Sequence, residues 1–204
     1  MAYVCAMQIF LIGDAAQWPG WNAQPAQWIQ SPEEAPAGSV LIDMLFDGSA
    51  LRMAQLEAHS GPVWVNDVSG AACSKGFVRF NGWRGFAEKP RVEAAAGEAM
   101  RADAEAVAQL SGKELDWLPD TPGFVSPRVV AMIINEAFHT LSEGVSTKEE
   151  INTAMKLGTA YPHGPFEWAA LIGVKNVASL LLALAQANPR YAPCPLLLTE
   201  AGIA

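Results

Sequence analysis

The 204-residue chain is 51% hydrophobic and 17% charged, which supports a buried core and argues against global disorder. Its net charge of −8 and its lack of any basic run argue against binding to a nucleic-acid backbone. Three cysteines without a CxxC pair (Cys5, Cys73 and Cys194) favour free thiols in a reducing compartment, and three scattered histidines give no metal-ligand spacing. No signal-peptide pattern and no membrane-length apolar run is found, so we expect a cytoplasmic protein without membrane contact.

The first half of the chain alternates short apolar runs with segments of helical spacing. Five of the runs are predicted to be strands: 8–13, 39–46, 62–67, 75–82 and 113–120. Helices are predicted at 49–61 and 98–112, and each ends at a glycine. Strands that are apolar throughout are typical of a sheet covered on both faces. The pattern therefore predicts an α/β domain with a mostly parallel sheet.

After Asp120 only helical patterns follow. Four helices are predicted: 126–144, 146–158, 164–173 and 175–188. The second of them is predicted to open with a capping box from Ser146 to Glu149. The change from alternating strand and helix patterns to helical patterns alone predicts two domains, 1–119 and 120–204.

The helical half resembles the C-terminal domain of 3-hydroxyacyl-CoA dehydrogenases. The residues that carry the resemblance include "DTPGFV" (120–125), "INTAMKLGTAYPHGPFEWAALIGV" (151–174) and "RYAPCPLL" (190–197). The first half resembles the NAD-binding domain of that family in several shorter stretches. The resemblance implies an α/β plus all-α protein, in which a reduced Rossmann-like parallel sheet domain precedes the helical dehydrogenase domain.

The opening stretch "LIGDAAQW" (11–18) is the place for a nucleotide-binding turn. Such a turn needs G-x-G-x-x-G, in which each glycine gives room for the phosphates or for helix packing. Gly13 takes the first place, but Ala15 and Trp18 take the other two. Asp14 adds a negative charge where a diphosphate would lie. We therefore expect that no NAD is bound here, with NAD as the cofactor only if the chain is an active dehydrogenase.

Three tryptophans fall in the short segment between the first two predicted strands, where the resemblance implies two helices and two strands. They are Trp18, Trp21 and Trp28. Indole rings bury a large apolar area, so we predict that they cover the sheet in place of helices. A ligand-stacking role is the alternative.

The resemblance implies further site positions. Asp47 takes the place of an acidic residue that ends a strand, and Asn66 the place of an asparagine after the next strand, which makes both cofactor-binding candidates. The serine that would hold the substrate oxygen falls on Ser69 or its neighbour Val68. The family's later asparagine falls on Pro127, which has no side-chain donor.

The catalytic histidine implied by the resemblance falls on Arg84, and its glutamate partner on Glu93. A guanidinium does not lose its proton near neutral pH, so Arg84 cannot act as the general base. An Arg84–Glu93 ion pair is the expected substitute. Arg84, Glu93 and Ser69 are thus the catalytic positions of the family, with altered chemistry.

Three hypotheses for the function follow. The first is a divergent family member without redox activity, which binds an acyl-CoA-like ligand or a partner. The second is an active NAD-dependent 3-hydroxyacyl-CoA dehydrogenase of fatty-acid metabolism. The third is another acid–base reaction carried by Glu93 and Arg84. The helical domain is also expected to form a homodimer, because a unit of about 85 residues buries too little of its surface to cover several long apolar helices.

Overall fold

The computed structural model describes residues 7–21 and 26–203, so Cys5 lies outside the described part of the chain. The chain divides into two compact units, Met1–Phe124 and Val125–Ala204. The predicted domain division at 119–120 falls in the segment that joins the last strand to the first long helix of the second unit.

The first unit is built on a seven-stranded sheet with the order β2-β1-β3-β4-β5-β6-β7. Its strands are β1 (Ile9–Ile12), β2 (Ala26–Ile29), β3 (Val40–Asp43), β4 (Val63–Asn66), β5 (Val78–Phe80), β6 (Arg91–Ala95) and β7 (Glu114–Trp117). Every neighbouring pair is parallel except β5 and β6, which are antiparallel. The predicted mostly parallel sheet is confirmed, whereas β2, β6 and the antiparallel pairing of β5 with β6 were not predicted from strand patterns.

The first five strands follow the order of a doubly wound nucleotide-binding domain that lacks one outer strand. The doubly wound order is 3-2-1-4-5-6, and removal of its third strand leaves the order in which β2, β1, β3, β4 and β5 lie. The chain leaves β1 toward one side and β3 toward the other, so the switch point lies between these two strands. The reduced Rossmann-like domain predicted from the sequence is confirmed.

Each face of the sheet has its own apolar core. On one face, Leu11 and Ile42 pack with helix α2 (Glu98–Leu110). On the other face, the core includes Leu56 of helix α1 (Ala50–Glu57). All residues of β1 and β3 are buried, because side chains that alternate between two covered faces are all removed from water.

Two indoles cover the sheet after β1. Within 13–21 the backbone forms turns rather than a helix, and Trp18 and Trp21 lie 5% and 0% exposed in the same core as α2. The Nε1 of Trp18 donates to the Gly82 carbonyl at 3.1 Å, and that of Trp21 to the Ala87 carbonyl at 3.0 Å. Both indole N–H groups are therefore satisfied, as buried polar groups require. Trp18 and Trp21 thus cover the sheet as predicted, whereas Trp28 lies in strand β2 of the sheet itself and is partly buried.

The second unit consists of helices: α3 (Ser126–Ser142), α4 (Lys148–Thr159), α5 (Pro165–Ile172), α6 (Val174–Ala187) and α7 (Pro195–Glu200). The first four are predicted from the sequence, but α7 and the 3-10 turn before it (Pro189–Tyr191) are not. α5 packs against α3, α4 and α6 and forms the centre of this unit. The predicted helical domain is confirmed.

The cap of α4 lies one residue later than predicted. The Thr147 hydroxyl accepts from the Glu150 N–H at 3.2 Å, and the Glu150 carboxylate accepts from the Thr147 N–H at 3.3 Å. The predicted box from Ser146 to Glu149 is wrong, since both residue pairs fit the same S/T-x-x-E spacing. Ser146 instead donates its hydroxyl to Glu150 at 2.7 Å.

No single helix among the described residues has the length and hydropathy needed to cross a bilayer. α5 and α6 meet those criteria only when they are counted together, and they are bent by 96° at the break between them.

Candidate functional site

The carboxyl ends of β1 and β3 adjoin at the switch point, which is where ligands bind in doubly wound sheets. Gly13 follows β1 and has a φ of +146°. A Cβ atom added to Gly13 would lie 3.2 Å from the Trp18 ring, 3.3 Å from the Trp28 ring and 3.4 Å from the Met44 Cβ. Side chains of the protein itself therefore fill the space beside this glycine.

The residues around Gly13 do not fit a diphosphate in its usual place. Such a group needs free backbone N–H groups and a helix N-terminus at this point. The Gly13 N–H already donates to the Ile29 carbonyl at 3.2 Å, and the turns of 13–21 follow it. The Asp14 carboxylate accepts from the Ala16 N–H at 2.9 Å, so a negative charge lies next to the glycine.

Asn66 ties together three strand ends. Its Nδ2 donates to the Met44 carbonyl at 3.1 Å, and its Oδ1 accepts from the Gly82 N–H at 2.9 Å. A Cβ at Gly82 would lie 2.5 Å from the Asn66 Cγ, so only glycine allows the amide to pack there. Asn66 joins the segments that follow β3 and β5 to the end of β4, and both ends of its amide are engaged.

The acidic residue that ends β3 is Asp43, not Asp47. Asp43 is fully buried and its Oδ2 lies 2.6 Å from the Arg52 Nε. Burial raises the pKa of Asp43, and the hydrogen bonds from Arg52 oppose that rise. Asp47 is exposed in the loop before α1, where the hydrogen bond from the Ser49 N–H (2.9 Å) lowers its pKa. The strand predicted to reach 46 ends at Asp43.

Glu93 lies half-buried on β6 and does not meet Arg84. The Asn81 Nδ2 donates to the Glu93 Oε2 at 3.2 Å. Arg84 is exposed in the loop after β5, and the ion pair expected between it and Glu93 is wrong for the described part of the chain. Asn81 is itself buried and accepts from the Trp83 N–H at 3.3 Å.

Ser69 belongs to a loop that Asp67 organises. Asp67 is 2% exposed and accepts from the Ser69 hydroxyl at 2.9 Å, from the Gly70 N–H at 2.8 Å and from the Ala72 N–H at 2.7 Å. Ser69 therefore has a structural partner in this loop.

A buried guanidinium lies beside this loop, and no sequence pattern predicted it. Arg79 of β5 is 0% exposed; its Nε donates to the Asp67 Oδ2 at 3.0 Å and its Nη1 to the Asp120 Oδ1 at 2.5 Å. Its Nη2 donates to the Asp67 carbonyl at 2.9 Å, and its Cζ lies 5.2 Å from the centre of the Phe124 ring. We name Arg79, Asp67 and Asp120 the arginine clasp. The available signal was a single arginine inside an apolar strand run.

The clasp also affects the groups around it. Burial raises the pKa of the Cys73 thiol to about 11, although the Arg79 Nη1 lies only 3.0 Å from its sulfur. Cys73 is therefore a neutral thiol at physiological pH. Burial acts to raise the pKa of Asp120, but the hydrogen bonds from the Ser74 N–H and from Arg79 outweigh it and the pKa lies below its usual value.

The predicted positions are thus only partly brought together. Gly13 and Asn66 both adjoin Met44 at the switch point, whereas Asp47 and Arg84 are exposed. Among the residues that the structure describes, no group of three or more His, Cys, Asp or Glu side chains is placed to hold a metal.

The family model of the 3-hydroxyacyl-CoA dehydrogenase C-terminal domain matches residues 123–201. The helical domain of this chain is therefore similar to the C-terminal domain of the 3-hydroxyacyl-CoA dehydrogenase family. The 3-hydroxyadipyl-CoA dehydrogenase of Escherichia coli K12 is 44% identical over 91 residues, which are 44% of this chain and 19% of that protein. The 3-hydroxybutyryl-CoA dehydrogenase of Bradyrhizobium diazoefficiens is 44% identical over 107 residues, 50% of this chain and 36% of the relative. The chain therefore spans well under half of the length of these relatives.

Solved structures extend the likeness to the sheet domain at the level of fold. The crystal structure of FadB2 from M. tuberculosis superposes with a TM-score of 0.68 at 20% identity, over 87% of this chain and 70% of that one. The (S)-3-hydroxybutyryl-CoA dehydrogenase PaaH1 from Ralstonia eutropha gives 0.66 at 24% identity, with the same coverage. The Rossmann-like sheet followed by a helical domain is the arrangement of these dehydrogenases.

Residues that carry the family resemblance in the helical domain form hydrogen bonds within that domain. The Asn152 Oδ1 accepts from the Phe166 N–H at 2.9 Å, and the Glu167 Oε2 accepts from the Gly164 N–H at 2.8 Å. A Cβ at Gly164 would lie 2.3 Å from the Asn152 Oδ1, so this turn requires glycine. The Glu167 carboxylate also lies 2.5 Å from the Lys156 ammonium. The stretch "INTAMKLG…GPFE" thus specifies how α4 and α5 join.

Proposed function

We propose that this chain is a divergent member of the 3-hydroxyacyl-CoA dehydrogenase family that binds an acyl-thioester-like ligand or a partner and does not perform NAD-dependent redox chemistry. The observation that carries the proposal is the packing around Gly13, where Trp18, Trp28 and Met44 fill the space beside the backbone. A dinucleotide in the usual place would have to displace the buried Trp18 ring and the partly buried Trp28 ring, whose removal from the core is unfavourable.

The position of the general base supports the same proposal. Arg84 stands there, and a guanidinium cannot take a proton from a substrate hydroxyl near neutral pH. The glutamate that would orient the base, Glu93, accepts instead from Asn81. The third hypothesis, acid–base chemistry by Glu93 and Arg84 together, has no support from this geometry because the two side chains do not pair.

The second candidate is an active NAD-dependent 3-hydroxyacyl-CoA dehydrogenase of fatty-acid metabolism. It is favoured by the helical-domain match and by relatives that are named dehydrogenases. The cytoplasmic location remains a prediction from the sequence. A homodimer formed through the helical domain is likewise part of the proposal.

One pair of measurements separates the two functions. Purified protein is titrated with NADH while tryptophan fluorescence is recorded, because Trp18 and Trp28 lie at the place where the dinucleotide would bind. Acetoacetyl-CoA reduction is assayed in parallel, and thermal melts are recorded with acyl-CoA. We expect no NADH binding and no turnover, with stabilisation by acyl-CoA. Saturable NADH binding accompanied by turnover would favour the dehydrogenase.

The Arg84→His variant provides a second test, in which reduction of acetoacetyl-CoA is assayed. It restores the family's base at an exposed position, so the fold should tolerate it. We expect no turnover, because the packing at Gly13 is unchanged. Measurable reduction of acetoacetyl-CoA by this variant would contradict the proposal that the nucleotide place is closed.

A further inference from the structure

A slot on the surface of the sheet domain lies between α1 and the segment that follows β2. The segment opens with a 3-10 turn (Pro32–Glu34), and the slot has a volume of about 490 Å³. It reaches Ala37, which precedes β3, and Ser60, which precedes β4. The slot therefore extends toward the amino ends of these two strands, whereas Gly13 follows the carboxyl end of β1. It is a cavity separate from the switch point.

Alanines keep this cavity open, and we name it the alanine slot. Ala35 and Ala37 line it from the segment before β3, and Ala54 and Ala58 line it from α1. Residues four apart on a helix lie on the same face, so both alanines of α1 border the same space. Both are exposed, and a longer side chain at either position would fill the slot. The apolar part of the lining therefore suits a slender aliphatic chain.

The polar side chains of the alanine slot offer hydrogen-bond acceptors. The Gln55 Nε2 donates to the Glu33 Oε1 at 2.7 Å, so the amide oxygen of Gln55 and the rest of the carboxylate can accept from a ligand. The His59 Nε2 lies 2.8 Å from the Ser39 carbonyl, which can only accept. The proton is therefore on Nε2, and the Nδ1 of the neutral ring is an acceptor. A ligand that matches these groups must carry N–H or O–H donors.

The charges around the alanine slot favour a cation. Among the described residues that line it, Glu33 is a carboxylate and none is Lys or Arg. The hydrogen bond from its own N–H, followed by one from Ser31, lowers the pKa of Glu33, so this carboxylate is ionised at neutral pH. The carboxyl end of a helix carries a partial negative charge, and the last turn of α1, which adjoins the slot, contains no basic side chain. An anionic ligand would find no counter-charge here.

We propose that the alanine slot binds a small organic cation, namely a short aliphatic chain that ends in an ammonium or guanidinium group. The charged end donates to Glu33 and to the Gln55 amide oxygen. The chain lies along Ala54 and Ala58, and a donor at its other end reaches His59 at the carboxyl end of α1. This site goes beyond the proposed function, because it uses neither the switch point nor the positions implied by the family resemblance.

Calorimetric titration of the whole chain with putrescine and with agmatine tests the site. The titrations are done at low ionic strength, where screening of an exposed carboxylate is weak. The uncharged diol of the same chain length and succinate are the comparison ligands. We expect saturable binding of both amines to a single site, and no binding of the diol or of succinate. No saturable binding of either amine, or equal binding of the diol, would overturn the proposal.

Two variants locate the binding. Ala58→Leu places a longer side chain in the slot and should weaken amine binding by about tenfold, the effect of a few methylenes in an apolar site. Glu33→Gln removes the charge and should weaken it by about fivefold, as for an exposed ion pair. Both positions are exposed, so the fold should be retained, and far-ultraviolet circular dichroism checks this. Ala54→Leu replaces Ala58→Leu if that variant does not fold.

The matched controls carry the same kinds of change outside the slot. Ala50→Leu is exposed in the first turn of α1, and Asp103→Asn is exposed on α2, which packs on the other face of the sheet. Both should bind the amines as the wild type does. Equal weakening by Glu33→Gln and Asp103→Asn would reflect the net charge of the chain and overturn the site, as would unchanged binding by Ala58→Leu. None of these results depends on NADH, acyl-CoA or turnover.

Discussion

The sheet domain and the helical domain preserve their family likeness in different ways. In the helical domain the likeness is in the amino-acid sequence, because the turn before α5 requires particular residues such as Gly164 and Asn152. In the sheet domain the likeness is in the strand order, while indoles replace a helix after β1. A sheet buried on both faces needs only apolar strands and some apolar cover. The comparison teaches that a strand order can persist while the residues that follow its strands differ.

The arginine clasp gives the largest expected effect and tests how far the sheet domain depends on polar contacts. Arg79→Met should lower the free energy of unfolding by about 3–5 kcal/mol, because it leaves the buried Asp67 carboxylate without its counter-ion. The measurement is denaturant unfolding followed by tryptophan fluorescence, to which six of the seven tryptophans contribute from the sheet domain.

Arg91→Met is the matched control for the clasp. Arg91 forms exposed ion pairs with Glu114 and Asp116, and such pairs contribute about 1 kcal/mol or less. Equal losses in the two variants would contradict the view that burial makes Arg79 important.

A smaller effect is expected at the closed switch point. Gly13→Ala adds a Cβ at a φ of +146° and within 3.2–3.4 Å of Trp18, Trp28 and Met44. We expect a loss of about 1–3 kcal/mol from backbone strain and overpacking. Gly158→Ala is the control, since it lies within α4, its φ is not positive and nothing lies within 4 Å of the added Cβ, and it should leave stability unchanged or raise it by up to about 1 kcal/mol. A Gly13→Ala variant as stable as the wild type would mean that the indole rings move easily and that the switch point between β1 and β3 can open.

The N-cap of α4 tests a sequence-specific contact in the helical domain. Thr147→Ala should cost about 1 kcal/mol, because it removes the hydroxyl that accepts from the Glu150 N–H. Glu149→Ala, at the position of the incorrectly predicted box, should change little. Thermal unfolding by far-ultraviolet circular dichroism ranks the two. A larger loss for Glu149→Ala would restore the box from Ser146 to Glu149.

The smallest effect concerns pH. The pKa of Asp120 is lowered below 3.8 in the folded chain, so its ionised form contributes stability that is present above pH 3.8 and is lost as the pH falls through the folded pKa. Asp120→Asn should therefore be less stable than the wild type at neutral pH, and the difference should shrink in acid. Urea unfolding at a series of pH values measures it, and a difference that does not vary with pH would refute the assignment.

Most of the helices and strands could be predicted because the spacing of their apolar residues reflects which side chains are buried. β2 was missed, since "AQWI" lies at a sheet edge where its side chains are only partly buried and do not alternate clearly. α7 was missed because its six residues are too few to show a helical period.

The site was harder to predict than the fold. The sequence indicated that Trp18 and Asp14 conflict with a diphosphate, because both lie within the five residues that follow Gly13. It could not show that Asn81 binds Glu93, or that Arg79 binds Asp120 from 41 positions away. Such contacts depend on how the strands pair, and no local pattern records them.

The arginine clasp also determines how the sheet domain can be made and handled. Arg79 in the middle of the sheet obtains one of its carboxylates from Asp120, and Phe124 packs over the guanidinium. During synthesis on the ribosome, Asp67 precedes β5 and can pair with Arg79, whereas the second carboxylate becomes available only after more than forty further residues have emerged. A fragment cut after residue 119 would never receive that carboxylate, whereas one that ends at Phe124 retains it.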